Sequence, residues 1–140
     1  MNSFSYSFTS GKTPAYIFPF LLEIENWWSG IYGETITGSS KKINDVFTFS
    51  AGGGMHFSKQ KLIEFVPNKK IVWEITESNL SFLSNPKEWE NTKIAFEIVP
   101  EGNETQVNFL HEGLEPNIEC YDQCTNAWGQ YLNNLKNKLK

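Results

Sequence analysis

The chain has 140 residues, of which 39% are hydrophobic, and a formal net charge of −4 at pH 7. All 12 basic residues are Lys, and this acidic balance without any Arg argues against a nucleic-acid-binding protein. No apolar run reaches about 18 residues and no basic leader is present, so we expect neither a membrane span nor a signal peptide. The length predicts a single soluble domain, 1–140, and without a signal peptide we expect it in the cytoplasm.

The N-terminal part predicts one strand followed by two short helices. In 3–9 aromatic residues alternate with Ser and Thr, which is the period of a half-buried strand. Pro14 suits the first turn of a helix, and Pro19 is expected to break or kink that helix. We therefore expect two short helical pieces that end near Trp27 and Trp28.

The middle of the chain predicts a meander of antiparallel strands. The predicted strands are 31–37, 45–50, 55–66, 70–77, 93–99 and 105–111. Gly52, Gly53 and Gly54 supply the positive φ angles of a tight reversal. Segment 78–90 has no period but keeps several apolar side chains, so it is expected to cover the core or to line an opening.

The C-terminal part predicts one amphipathic helix. Gly113 and Pro116 end the preceding strand, and an apolar stripe then continues to Lys140 in steps of three and four residues. This helix is the element long enough to cover the apolar face of the sheet. The predicted fold is therefore α+β of the helix-grip type: a curved antiparallel sheet of about six to seven strands around a long C-terminal helix, with two short helices after the first strand.

Seven segments along nearly the whole chain carry a resemblance to a known family. They are 27–30 (WWSG), 45–47 (DVF), 56–61 (HFSKQK), 66–73 (VPNKKIVW), 89–94 (WENTKI), 119–122 (ECYD) and 126–129 (NAWG). Their order and spacing resemble the START-like or Bet v 1-like superfamily (SRPBCC), and within it the subfamily named after the activator of the 90-kDa heat-shock protein ATPase. The resemblance implies the helix-grip fold. It does not single out a function, because relatives with this fold include lipid carriers, hormone receptors, polyketide cyclases and a co-chaperone module.

The aromatic content predicts a cavity for an apolar, aromatic or lipid-like small molecule. The chain has 11 Phe, 5 Trp and 5 Tyr, and such rings can line a small-molecule site, although each one alone is more often a core residue. We place the cavity between the concave sheet, segment 78–90 and the first half of the C-terminal helix. The candidate ligand-binding residues are Trp28, Phe47, Phe49, Trp73, Phe82, Trp89, Phe96, Phe109, His111, Tyr121, Cys124 and Trp128.

Two alternatives to a binding protein stay open. A cyclase or lyase would use His111, Glu77 or Tyr121 as acid or base on a bound ligand. Strand alternation places Glu77 on the face of Ile75, where its side chain could reach the mouth of the cavity. The other alternative is an interaction module that docks on a chaperone or another partner, for which the resemblance is in name and fold only. A monomer or weak dimer is expected, without a cofactor.

The cysteines and histidines predict no metal site and no disulfide. Cys120 and Cys124 lie four residues apart inside the predicted helix, where side-chain directions poorly suit a disulfide, so free buried thiols in a reducing compartment are expected. His56 and His111 lack a second ligand at a metal-binding spacing. A cysteine nucleophile with His111 as its base would lack a third group to orient the imidazole, so we do not expect a catalytic cysteine. His111 is instead expected to lie at the end of a strand and to be hydrogen-bonded.

Overall fold

A computed structural model describes residues 3–116 and 118–140 and shows a seven-stranded antiparallel sheet with two α-helices. The helices are α1 (Pro14–Leu22), which a 3-10 turn at Ile24–Asn26 follows, and α2 (Tyr121–Lys138). The strands are β1 (Ser3–Ser10), β2 (Thr35–Gly38), β3 (Val46–Ala51), β4 (His56–Val66), β5 (Lys70–Leu80), β6 (Lys93–Glu101) and β7 (Glu104–Glu112). In the sheet they follow the order β1-β7-β6-β5-β4-β3-β2.

The register of the strands gives the sheet one apolar face, as the alternating sequence predicted. In the β6–β7 hairpin Phe96 lies opposite Phe109, and Ile98 lies opposite Val107. The β4–β5 pair contains two register shifts, and such bulges bend a strand and increase its twist. The sheet is therefore curved toward the face that α2 covers, and the helix-grip fold is confirmed.

Helix α2 is held at its two ends by different kinds of contact. Near its C-terminal end Lys138 Nζ donates to the carbonyl of Asn26 over 2.8 Å, and the hydroxyl of Ser10 donates to the carbonyl of Leu139. At its N-terminal end the carboxylate of Glu88 accepts the backbone N–H groups of Glu119 (2.9 Å) and Cys120 (3.3 Å). The first end is thus tied to β1 and the 3-10 turn, and the second to loop 81–92.

Trp27 occupies the centre of the core between the sheet and α2. Its ring lies 4.9 Å from that of Phe96 and 6.3 Å from that of Trp128, measured between centroids, and it stacks on Trp28 at 5.5 Å. Its indole N–H donates to the carbonyl of Leu21 over 2.9 Å. A buried indole with its N–H satisfied is stable in this position, so the middle of the core is filled.

Several element boundaries differ from the predicted ones in the N-terminal half. Helix α1 continues through Pro19, its sixth residue, at the loss of one backbone hydrogen bond, and ends at Leu22 with Glu23 as its C-cap. Strand β2 begins at Thr35 and not at residue 31. The carboxylate of Glu34 accepts the backbone N–H groups of Gly30 (2.8 Å) and Tyr32 (2.9 Å), so this segment is a capped loop.

The remaining differences concern β5 and α2. Strand β5 extends to Leu80, three residues into the segment predicted as a loop, and α2 begins at Tyr121. The predicted helix also included Asn117, which lies outside the described residues, as do Met1 and Asn2. Within residues 3–116 and 118–140 no helix combines the length and apolarity needed to cross a membrane.

Candidate functional site

A cavity of about 240 Å³ opens between the first half of α2, the β3–β4 turn and loop 81–92. It lies where the sequence placed a pocket, and half of the candidate residues line it. These are Trp28, Phe49, Phe82, Trp89, Cys124 and Trp128. Eight further lining residues were not among the candidates: Tyr32, Ala51, Gly52, Met55, His56, Gln123, Ala127 and Tyr131.

The walls of the cavity are mainly flat aromatic rings. Trp89 and Trp128 are almost parallel, with centroids 5.9 Å apart and 8° between their planes. Trp28 lies 5.0 Å from Trp128 and stacks on Phe49 at 4.0 Å. Rings from α2, β3 and two loops thus surround the space, which suits a flat apolar molecule.

Four candidate residues lie in the core beneath the cavity and do not line it. They are Phe47, Trp73, Phe96 and Phe109, each at most 1% exposed. The physical reason is close packing of rings: Trp27 packs against Trp73, Phe96 and Phe109, and Phe109 also contacts Trp128 directly, with centroids 4.7 Å apart. Phe47 packs against Trp28 and Trp73. The sequence predicted these four residues as walls of the cavity, whereas the structure limits the lining to the end of the face beside the β3–β4 turn.

His111 is also outside the cavity, fully buried behind Trp89 and Trp128. The indole N–H of Trp128 can only donate, so Nδ1 of His111, at 3.1 Å, accepts, and the imidazole proton lies on Nε2. Nε2 then donates to Thr92 Oγ1 over 2.9 Å, and the Thr92 hydroxyl donates to the carbonyl of Trp89 over 2.6 Å. Burial, with a smaller contribution from His56, lowers the pKa of His111 to about 3, so the imidazole is neutral.

The other two acid–base candidates do not line the cavity either. Tyr121 is half-buried at the first residue of α2. Glu77 is exposed and forms an ion pair with Lys59 at 3.9 Å. The expectation that it shares the face of Ile75 is wrong, because the register shift pairs Ile75 with Gln60 but Glu77 with Lys59.

The expectation of free cysteines is wrong, since the structure joins Cys120 and Cys124 in a disulfide. Cys120 is not inside the helix but at its N-cap, with φ −86° and ψ 6°. This places the two Cα atoms 5.5 Å apart, within the usual range for a disulfide. The bridge forms part of the cavity wall through Cys124, and the argument from these residues for a reducing compartment no longer holds.

His56, at the start of β4, is the histidine that lines the cavity. Its ring stands edge-on to Trp89 (4.7 Å) and Phe49 (5.2 Å). Burial lowers the pKa of His56 to about 4, so it is neutral at pH 7. The alternation of His56, Ser58 and Gln60 with residues of the opposite face was the signal that could have placed it inward. The described part of the chain contains no cluster of three His, Cys, Asp or Glu able to hold a metal ion.

Tyr131 connects the cavity wall to the loop before β2. Its hydroxyl donates to Glu34 Oε2 over 2.5 Å. Burial, together with this bond to the carboxylate, raises the pKa of Tyr131 well above its usual range. Burial alone would raise the pKa of Glu34 as well, but the bonds from Tyr131 and from backbone N–H groups hold it below its usual value.

Exposed apolar side chains surround the mouth of the cavity. Tyr32, Met55 and Phe82 are 44%, 52% and 38% exposed. They come from three different segments, so the apolar surface continues from the inside of the cavity onto the outside of the molecule.

Comparison with known proteins gives a family and a fold. A family model described as Activator of Hsp90 ATPase homolog 1-like protein matches residues 23–140. No curated protein matches the sequence. The solution structure of the Aha1 dimer from Colwellia psychrerythraea is similar over 99% of this chain and 96% of that chain, with a TM-score of 0.77 and 22% identity.

Two further solved structures share the architecture at lower identity. An HSP90 activator from Plasmodium falciparum, PFC0360w, is 18% identical with a TM-score of 0.64, covering 98% of this chain and 95% of that chain. Ginseng major latex-like protein 151 from Panax ginseng is 10% identical with a TM-score of 0.69, covering 99% and 97%. At these identities the likeness shows the fold alone, and that fold is the one predicted from the sequence.

Proposed function

The chain belongs to the family of Activator of Hsp90 ATPase homolog 1-like proteins, and on that basis we propose that it binds an apolar, aromatic small molecule between α2 and the β3–β4 turn. The observation that carries this proposal is the cavity of about 240 Å³ with aromatic walls. None of its lining residues is Asp, Glu, Lys or Arg. A concave, mostly apolar site with a few polar groups is the usual form of a small-molecule site.

The size of the cavity limits the ligand and its affinity. An apolar protein cavity of about 150 Å³ holds one benzene ring, so the larger space here suits about two fused rings. A ligand of about ten non-hydrogen atoms that gains about 0.55–0.8 kcal/mol per atom, between the known limits of about 0.3 and 1.5, has a dissociation constant of about 1–100 μM.

Titration with naphthalene, followed by the indole N–H signals in ¹H–¹⁵N NMR spectra, tests the proposal. The signals of Trp28, Trp89 and Trp128 should move. The signal of Trp73 should stay and serves as an internal control. Trp73 does not line the cavity, and its indole N–H donates to Ser40 Oγ over 2.7 Å. If naphthalene at its solubility limit moves none of the three cavity signals, the chain does not bind aromatic molecules there.

A pair of matched variants on α2 locates the binding. Ala127 lines the cavity, whereas its neighbour Asn126 is exposed and does not line it. Ala127→Phe should fill the space and abolish the shifts, and Asn126→Phe should leave them unchanged. Equal binding by both variants would place the naphthalene outside the cavity.

A second function, contact with a chaperone, is supported by the family description and by the exposed apolar side chains at the mouth. If the chain activates an Hsp90, a stoichiometric amount should raise the ATPase rate of the Hsp90 from the same organism. Replacement of Met55 and Phe82 by Ser should weaken that effect, and replacement of exposed Ile43 by Ser should not. An unchanged ATPase rate with the wild-type chain would exclude activation of the Hsp90.

The cyclase or lyase alternative receives less support from the geometry. Its three candidate residues, His111, Glu77 and Tyr121, lie outside the lining of the cavity. His111 also has both ring nitrogens engaged in the hydrogen bonds to Trp128 and Thr92. A proton transfer to a bound ligand would therefore need a different residue.

A further inference from the structure

Strand β1 forms one of the two edges of the sheet, and its outer side has no backbone partner among the described residues. It pairs with β7 along its whole length, from Ser3 opposite Glu112 to Ser10 opposite Thr105, without a register shift. Alternate residues of an antiparallel strand point their backbone groups to opposite sides. About half of the backbone N–H and carbonyl groups of β1 therefore face away from the sheet.

This edge lacks the features that normally keep two sheets apart. Proteins block an exposed edge with charged side chains, Pro, a bulge or a very short strand, because an open edge can pair with another chain. Strand β1 has eight residues, and none of them is charged or Pro. The other edge, β2, has four residues and is flanked in sequence by Glu34 and by Lys41 and Lys42. The fold thus protects β2 and leaves β1 open.

The sequence of β1 is self-complementary when two copies run antiparallel. Residues 3–9 read SFSYSFT, so hydroxyl and aromatic side chains follow the same order in both directions from the central Tyr6. When Tyr6 lies opposite Tyr6 of a second copy, Phe4 lies opposite Phe8, and Ser5 lies opposite Ser7. Each aromatic side chain then meets another one on the same face of the sheet, and such cross-strand pairs stabilise a sheet.

The exposure of the side chains agrees with this pairing. Phe4 and Tyr6 pack against the core but are only half-buried, so each retains apolar surface that a further strand would cover. On the other face Ser5 and Ser7 are exposed, and the residues opposite them in β7 are also uncharged. No like charges therefore oppose each other where two such edges meet.

We propose that two copies of this chain form a dimer by antiparallel pairing of their β1 strands, with Tyr6 at the two-fold axis. The two seven-stranded sheets join into one continuous sheet, and both α2 helices lie on the same side of it. Four strands separate β1 from β3 in each sheet, and no cavity-lining residue belongs to β1. The interface is therefore independent of the binding function proposed above.

Paired charge substitutions at exposed positions test both the contact and its register. In the dimer Ser5 of each copy lies opposite Ser7 of the other, so the double variant Ser5→Lys, Ser7→Lys sets like charges against each other twice. Sedimentation from low micromolar to millimolar concentration should show a dimer for the wild type and a dissociation constant at least about tenfold higher for this variant. The double variant Ser5→Glu, Ser7→Lys sets opposite charges against each other and should dimerise at least as tightly as the wild type.

The double variant Thr35→Lys, Thr37→Lys is the matched control, because it adds the same charge at exposed positions of the other edge. It should leave the dissociation constant unchanged, and equal weakening would show that net charge and not β1 controls association. A wild-type chain that stays monomeric at millimolar concentration overturns the proposal. A dimer that Ser5→Glu, Ser7→Lys weakens as much as Ser5→Lys, Ser7→Lys contradicts the register.

Hydrogen exchange of the wild-type chain covers the case in which a variant does not fold. Every second amide of residues 3–9, those that point away from β7, should exchange with deuterium at least about tenfold more slowly in concentrated than in dilute protein. The amides of β2 should exchange at the same rate in both. Exchange in β1 that does not depend on protein concentration would contradict the contact.

Discussion

The indole N–H of Trp128 donates to Nδ1 of His111 across 3.1 Å, and this bond exists only while the imidazole is neutral. A protonated His111 would present a second N–H to the Trp128 N–H, in a place where burial already disfavours the charge. The stability of the protein is therefore linked to proton uptake.

We expect the free energy of unfolding to decrease as the pH falls below about 6.5. Burial lowers the pKa of His56 to about 4 and that of His111 to about 3, whereas both are near 6.5 in the unfolded chain. Between these values the unfolded state binds more protons than the folded state, so acid favours unfolding. Between pH 7.5 and 5.5 the loss should be about 3 kcal/mol, which urea unfolding at the two pH values will measure.

The variant His56→Gln serves as the control for this pH dependence. Only two histidines are present in the chain, so removal of one should roughly halve the change between pH 7.5 and 5.5. An unfolding free energy that is the same at both pH values would show that the histidines are not held neutral in the folded protein.

We expect reductant to lower the melting temperature by several degrees. The Cys120–Cys124 disulfide closes a very short loop, and restriction of the unfolded chain by such a loop gives about 2 kcal/mol. Thermal unfolding with and without a phosphine reductant measures the effect. Cys124→Ser should melt at the lower temperature and show no response to reductant, whereas coincident wild-type curves would mean that the bridge does not stabilise the fold.

We expect Tyr131→Phe to destabilise the fold by about 2 kcal/mol. The lost hydrogen bond has a carboxylate as acceptor, and such bonds contribute more than neutral ones. The pKa of Glu34 should rise toward its usual value, because one of the bonds that lower it is absent. Chemical unfolding and an NMR titration of the Glu34 carboxyl carbon measure the two effects. Tyr16→Phe, at an exposed tyrosine, is the control and should change neither.

The sheet and α2 could be predicted because their side chains repeat with a regular period. Phe47 and Phe49 in β3, and Phe96 opposite Phe109, lie on the face that alternation predicts. The family resemblance is also confirmed. These features depend on local spacing, which the sequence shows directly.

The candidate site was only half predictable because its limits depend on contacts between distant residues. Neither Trp27 nor Trp28 belongs to a regular strand or α-helix, so no period shows that the first fills the core while the second lines the cavity. The bulge that turns Glu77 outward and the N-cap position of Cys120 are likewise set by the folded chain.

The unequal attachment of α2 has a consequence for exchange between the cavity and the solvent. Its C-terminal end is tied to two distant parts of the chain, whereas its N-terminal end is attached to loop 81–92 through the exposed carboxylate of Glu88 and through Trp89, whose indole N–H donates to Cys120 Sγ over 3.3 Å. Transient opening costs least where few buried contacts are broken. Amide hydrogens in the first turn of α2 and in loop 81–92 should therefore exchange with deuterium faster than those of its last turns. If the cavity binds a molecule, we expect exchange with the solvent to follow the opening of this loop and not of the sheet.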